Sequence, residues 1–244
     1  MTTPTESQAL AAGAHAPLVT IVDNQLWSVP HTIRLGPGIY LPARMTIIRL
    51  DAESLALHSP VPLTAAQLDA IRAIGRVTTI IAPNNFHHLY LRPAIEAFPD
   101  ADVWAAPGLP AKRPKLALRN LLGPDAKPPF ADRLTPIFLA GGPKMDETVF
   151  LHRATRTLVV TDSYFHLKST TGWLTPLVFR LTGSLKPGQS RIWRSTVKDR
   201  QAMAAASRAV AALDFDRIVM AHGEVLHSGG KAAWVAATAW LVPG

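Results

Sequence analysis

The pattern of apolar and polar positions divides the chain into short β-favouring runs and a few stretches of helical period. Residues 18–22, 26–29, 39–41, 45–50 and 55–58 are apolar or β-branched runs. Turn formers separate them, Asp23-Asn24, Gly36-Pro37-Gly38 and Asp51 to Ser54, so the first quarter reads as antiparallel strands. Thr64 then caps a predicted helix over 65–74, with Gln67 placed for a capping box and Gly75 as the stop. Residues 77–81, VTTII, predict a short buried strand that Ala82-Pro83-Asn84-Asn85 breaks. His87 and His88 follow, and 89–98 is compatible with a helix.

Beyond this point 103–106 predicts a strand, and 112–136 a mostly irregular stretch broken by prolines at 114, 124, 128, 129 and 136. Residues 138–140 and 147–152 predict strands around Gly141-Gly142-Pro143, and 158–162 predicts one that ends at Asp162. An Ala-rich helix over 199–213, a strand over 217–221 and a terminal helix over 231–241 complete the reading. The stretch 163–193, with Trp173, Phe179 and Trp193, has no clear period and is expected to form a lid or a subunit contact. Two β-rich halves, each closing on helix, strand and loop, predict a sandwich of sheets with helices outside rather than a doubly wound sheet.

The chemistry gathers at three strand ends. Adjacent imidazoles follow the strand 77–81, a carboxylate ends the strand 158–162, and His222 ends the strand 217–221. Neutral imidazoles and a carboxylate converging on one point form a donor set for a divalent metal, with a position left for water. Taken singly, each residue has a plainer role: the histidine pair can cap a helix, Asp162 can start a turn, and His222 can be a satisfied strand terminus. Together, His87, His88, Asp162 and His222 are the candidate ligands, with Asn84, Asn85 and Glu147 as candidate supports. His152 and His166, close to Asp162 in sequence, are background.

Composition narrows the classes. With 244 residues and 48% hydrophobic content the chain can bury a large core, expected as one domain over 17–244 behind a loose tail over 1–16. The absence of cysteine removes disulfides, thiolate ligands and cysteine nucleophiles, and fits a cytoplasmic setting. The start lacks the basic cluster and apolar core of a secretory signal, and no apolar run is long enough to span a bilayer. The formal charge of +8 is spread along the chain without aromatic interleaving, which disfavours nucleic acid and fits a basic surface or attraction to small anions.

Five segments carry a resemblance: 45–60 (MTIIRL with LHSP), 82–91 (APNNFHHLYL), 98–109 (FPDADVWAAPGL), 157–162 (TLVVTD) and 219–224 (VMAHGE). In this order the chain resembles the metallo-β-lactamase-like superfamily, and within it a divergent bacterial family of uncharacterised proteins, over about residues 17–241. The resemblance implies an αββα four-layer sandwich of the α+β class with a metal site at one edge. Active members carry His-x-His-x-Asp-His after a strand, and that motif falls on residues 83–88 here. Pro83 and Asn85 replace its first two histidines, His87 replaces its aspartate, and His88 is retained. No histidine stands near Pro143, where a further one is expected, whereas Asp162 matches the bridging aspartate and His222 the last histidine.

The resemblance therefore implies one metal position, held by His88, Asp162 and His222 with His87 assisting, for Zn2+ or Fe2+. Its implied activity is hydrolysis of an ester, lactone or phosphoester by metal-bound water, with Asp162 and His87 as the catalytic pair. The alternative is a non-catalytic descendant that binds a ligand or partner without metal. A small-molecule ligand or substrate is the expected partner, with no membrane, on a monomer or homodimer.

Overall fold

The computed structural model describes residues 18–241, so the tail expected over 1–16 lies outside the described residues. Two sheets face each other. The first has seven strands in sequential order, β1 (Val19–Val22), β2 (Leu26–Gly36), β3 (Ile39–Arg49), β4 (Ser54–His58), β5 (Arg76–Ala82), β6 (Asp102–Ala105) and β7 (Asn120–Leu121). Strands β1 to β4 pair antiparallel and β4 to β7 parallel. The second runs β11-β10-β9-β8, from β8 (Leu134–Phe138), β9 (Thr148–His152), β10 (Thr157–His166) and β11 (Arg217–Gly223). Its β10–β11 pair is parallel and the others are antiparallel.

Strand periodicity explains the layering. Ile47, Leu55, Leu57 and Ile80 face an outer core with helices α1 (Ala65–Ile74) and α2 (Leu91–Ala97), while Ile48, Ala56 and Ile81, one residue along, face the other sheet. The second sheet repeats the rule. Phe150 and Val159 point between the sheets, and Val149, Leu151, Leu158 and Val160 pack outward with residues of α6 (Arg200–Ala212) and α7 (Gly230–Thr238). Burial on both faces is why these strands read as continuous apolar runs. The arrangement is the four-layer sandwich expected from the sequence.

Thr64 and Gln67 form the predicted capping box, and Asp51 closes the β3–β4 turn by accepting from Glu53 and Ser54 N–H. Three features differ from the sequence reading. First, β2 and β3 are each eleven residues long, where separate short strands were expected. β1 pairs with β2 only up to Ser28 and β4 with β3 only from Thr46, so beyond these points the hairpin is a two-stranded arm. Second, β8 lies at Leu134–Phe138 instead of 138–140. Third, β10 passes through Asp162 to His166.

The stretch 163–193 holds α4 (Thr175–Thr182) and α5 (Arg191–Ser195), with the short α3 (Leu109–Lys112) earlier in the chain. The arm's tip docks ahead of α4: Gly38 O accepts from Leu174 N–H (3.1 Å), and Tyr40 N–H donates to Thr175 Oγ1 (2.9 Å). Gly38 has φ +69, and a Cβ there would lie 2.3 Å from Trp173 Nε1, so only glycine fits the joint. Ile39 and Leu41 of the arm pack with Phe165, Leu167 and Phe179 beneath it.

Candidate metal centre

The parallel pairs β4–β5 and β10–β11 both end at the edge where the sheets meet, and each end supplies part of the site. After β5, Asn84 folds the chain back on itself. Its Oδ1 accepts from Phe86 N–H (2.8 Å) and His87 N–H (2.9 Å), and its Nδ2 donates to Asp162 Oδ2 (2.7 Å) and Thr161 Oγ1 (3.0 Å). Two backbone bonds, Asn85 N–H to Met145 O and Thr148 N–H to Pro83 O, tie this loop to the second sheet.

A bulge with three extra residues presents Asp162. In the β10–β11 register Val160 pairs with Met220, but Phe165 pairs with His222, so residues 161–164 are looped out of the ladder. Their backbone donors need other partners. The buried Glu147 supplies one: its Oε1 accepts from the N–H groups of Thr161 (3.0 Å) and Ser163 (3.2 Å) and from both hydroxyls (2.8 Å each). Its Oε2 accepts from Trp193 Nε1–H (3.2 Å). Burial pushes the Glu147 carboxyl up, and the charge of Asp162 adds to this.

His222 is fixed by the arm, since Pro42 O accepts from its Nδ1–H at 2.8 Å. Gly223 follows with φ +112, and a Cβ there would lie 2.2 Å from His166 O. His87 Nδ1 stands 2.5 Å from Ser59 Oγ, at the end of β4. Ser59 holds a left-handed backbone (φ 58) that costs on the order of 1 kcal/mol for a non-glycine residue and that delivers its hydroxyl to His87.

With their Nδ1 atoms engaged, both imidazoles turn Nε2 inward. His87 Nε2 lies 3.3 Å from Asp162 Oδ2, His222 Nε2 lies 3.3 Å from Asp162 Oδ1, and the two Nε2 atoms are 3.3 Å apart. Among the described residues, His87, Asp162 and His222 form the group whose ligand atoms all lie within 4.8 Å of one another. Donors bound about 2.0–2.1 Å from a tetrahedral ion stand about 3.3–3.4 Å from each other, so the spacing suits a zinc-sized cation. A neutral His222 that donates through Nδ1 aims a lone pair at a carboxylate oxygen, and a proton or a metal ion is what makes that approach favourable. Burial alone would raise the Asp162 carboxyl, but His87 and His222 outweigh it and hold the group well below the usual carboxylate range.

His88 is placed elsewhere. The sequence makes it a ligand and His87 an assistant, whereas the structure brings His87 to Asp162 and His222 and turns His88 toward α3. There His88 Nδ1 accepts from Arg113 Nε (2.9 Å). Burial lowers its pKa to about 4, with the charges of Arg113 and Lys112 acting the same way. The reversal follows from the Asn84 turn, which captures the N–H of His87. Asn85 is also turned aside, donating through Nδ2 to Asp146 Oδ2 (3.2 Å) and Lys144 O (3.4 Å). His152 bonds Thr155 and Arg49 O, and His166 bonds Glu224 O, so both serve structure. Sequence reasoning missed Ser59 and the Pro42 carbonyl; Ser59-Pro60 at the end of a strand parallel to β5 is the signal for the first.

Above the centre lies a pocket of about 590 Å3, walled by the arm on one side and by α4 and α5 on another. A sequence model described as a domain of unknown function, DUF4336, matches residues 23–180. The chain belongs to the DUF4336 family.

No curated protein matches this DUF4336 chain in sequence. Solved metallo-β-lactamases match its fold. The one from Erythrobacter litoralis is 15% identical with a TM-score of 0.62, covering 91% of this chain and 96% of its own. That from Hirschia baltica is 13% identical with a TM-score of 0.61, covering 93% and 99%. That from Pontibacter korlensis is 14% identical with a TM-score of 0.59, covering 91% and 99%. At such identities the likeness establishes the metallo-β-lactamase-like fold and leaves the chemistry to the site. Among the described residues, no helix is long and apolar enough to cross a membrane.

Proposed function

We propose that this chain is a metal-dependent hydrolase with one divalent ion, Zn2+ or Fe2+, held by His87, Asp162 and His222. The observation that carries the reading is the triangle of 3.3 Å separations among two inward Nε2 atoms and the Asp162 oxygens. Such an ion would supply Lewis acidity and a water of lowered pKa for attack on an ester, lactone or phosphoester. The chain's own residues do the rest. Pro42 O and Ser59 Oγ orient the two rings, Asn84 holds the Asp162 carboxylate, and the apolar pocket walls limit water around the substrate.

The test is metal content by plasma mass spectrometry on purified protein, with hydrolysis of chromogenic esters, lactones and phosphodiesters assayed beside it. Wild type and His88→Ala should carry about one ion per chain, and His87→Ala and His222→Ala should lose it, with turnover following the metal. No metal after reconstitution with zinc, iron and manganese would favour a non-catalytic ligand-binding descendant. Full metal retention in the His87 and His222 variants would sink the ligand assignment.

A further inference from the structure

We propose that the pocket over the metal centre takes an anionic amphiphile, with an acyl chain along its apolar walls and an anionic head at Lys112 and Lys144. This names the substrate class for the hydrolase reading and rests on it for turnover, though not for binding.

The volume is the first support. About 590 Å3 is far more than a water or a metal ligand needs. At roughly 30 Å3 per small heavy-atom group, a ten-carbon chain fills about half of it and leaves space for a head group. The wall chemistry is the second. Ile33 and Leu41 on the arm face Val178 and Phe179 of α4 and Trp193 of α5. The lining hydroxyls of Tyr90, Thr182, Ser184, Ser190 and Thr196 are bonded within the protein.

The rim is the third support. Leu35, Phe86, Leu89 and Ile192 line the pocket and yet are exposed, an arrangement typical of a ligand-binding groove. The charge pattern then selects the head. Asp162 is the one carboxylate in the lining, and it belongs to the centre, while Lys112 and Lys144 supply cations. Lys112 Nζ donates to Asn85 O (2.7 Å) and lies 4.4 Å from the Phe86 ring centroid, which leaves ammonium hydrogens for an anion. Among the described residues, neither lysine is paired with a carboxylate.

The experiment is calorimetric titration of metal-free and metal-loaded protein with acetate, octanoate, decanoate and dodecanoate below their micelle concentrations, and with decanol. Affinity should rise about fourfold per methylene until the pocket is full, and decanoate should bind tighter than decanol. Lys112→Gln with Lys144→Gln should bring decanoate down to the level of decanol. Ile192→Gln, at an exposed rim position that leaves folding intact, should weaken decanoate and leave acetate unchanged. Binding without chain-length dependence, or equal binding of acid and alcohol, would overturn the proposal. So would binding to phosphatidylglycerol vesicles without binding of the monomers, which would assign the apolar rim to a membrane surface. Loss of the metal alone leaves the chain-length series intact, so failure of the hydrolase reading is told apart from failure of this one.

Discussion

Glu147 holds the Asp162 bulge together, and replacing it tests whether the site rests on that carboxylate. Glu147→Ala strands the N–H groups of Thr161 and Ser163 and the indole N–H of Trp193 in a buried setting, besides two hydroxyls that can rotate. At about 1–3 kcal/mol for each stranded buried donor, the three fixed groups together cost roughly 3–9 kcal/mol. Removing a buried carboxyl whose ionisation burial and Asp162 both oppose returns part of this, so a net loss of about 3–6 kcal/mol is expected. That is a large share of the roughly 5–15 kcal/mol that holds a domain folded. Glu147→Gln keeps a carbonyl oxygen for the four donors at Oε1 but sets an NH2 against Trp193 Nε1–H, for a loss of about 1–3 kcal/mol. Urea unfolding at pH 7 measures both variants, and a zinc competition titration on Glu147→Gln should read a 10–100-fold weaker site. If Glu147→Ala stays within about 1 kcal/mol of wild type at an unchanged denaturant slope, the bulge is held by something else and the reasoning fails.

Ser59→Ala should weaken zinc about 10–100-fold in the same titration, because His87 loses the contact that orients its ring, whereas stability should change by less than about 1 kcal/mol. Gly38→Val forces a side chain into Trp173 and should free the tip of the arm, read as faster tryptic cleavage after Lys168; an unchanged digestion rate would mean that the joint tolerates the clash. His58 is fully buried and its pKa is lowered to about 3, chiefly by burial and then by the charge of His87, so the unfolded chain binds its proton first as pH falls. Stability should therefore drop between pH 6.5 and 3, by up to about 1.4 kcal/mol per pH unit from this residue, and His58→Leu should flatten the slope in urea melts at pH 7, 5.5 and 4.5.

Much of the sandwich is legible in the sequence because its signals are local. Thr64, Gln67 and Gly75 bound α1 within a dozen residues, and the apolar runs that become β5 and β11 need nothing beyond their own composition. The arm is not legible in this way, because Pro30 and Pro42 interrupt the runs that form it. Both prolines are accommodated because the arm pairs on one side only there, with Pro30 opposite Arg44 and Pro42 opposite Thr32. The end of β10 is hidden for a related reason: Asp162 has the composition of a strand terminus, and only Glu147, fifteen residues earlier, fills the bulge and lets the strand resume. Choosing between His87 and His88 was beyond local pattern altogether. The two are adjacent and chemically alike, and what separates them is the Asn84 turn on one side and Arg113 on the other.

The positions that depart from the resembled His-x-His-x-Asp-His motif are not the ones that orient the His87, Asp162 and His222 group. The rings and carboxylate of the centre are oriented by Pro42 on the arm, Ser59 after β4, Asn84 after β5 and Glu147 ahead of β9. None of these depends on the positions now occupied by Pro83, Asn85 or Pro143. Asn85 bonds Asp146 through its side chain, and its main-chain carbonyl accepts from Lys112 at the pocket wall. The supports of the centre and the cation at the pocket wall thus rest on different contacts. Because Lys112 and Lys144 share no hydrogen bond with those supports among the described residues, the double lysine variant and the zinc titration, read side by side, separate what the centre does from what the pocket selects.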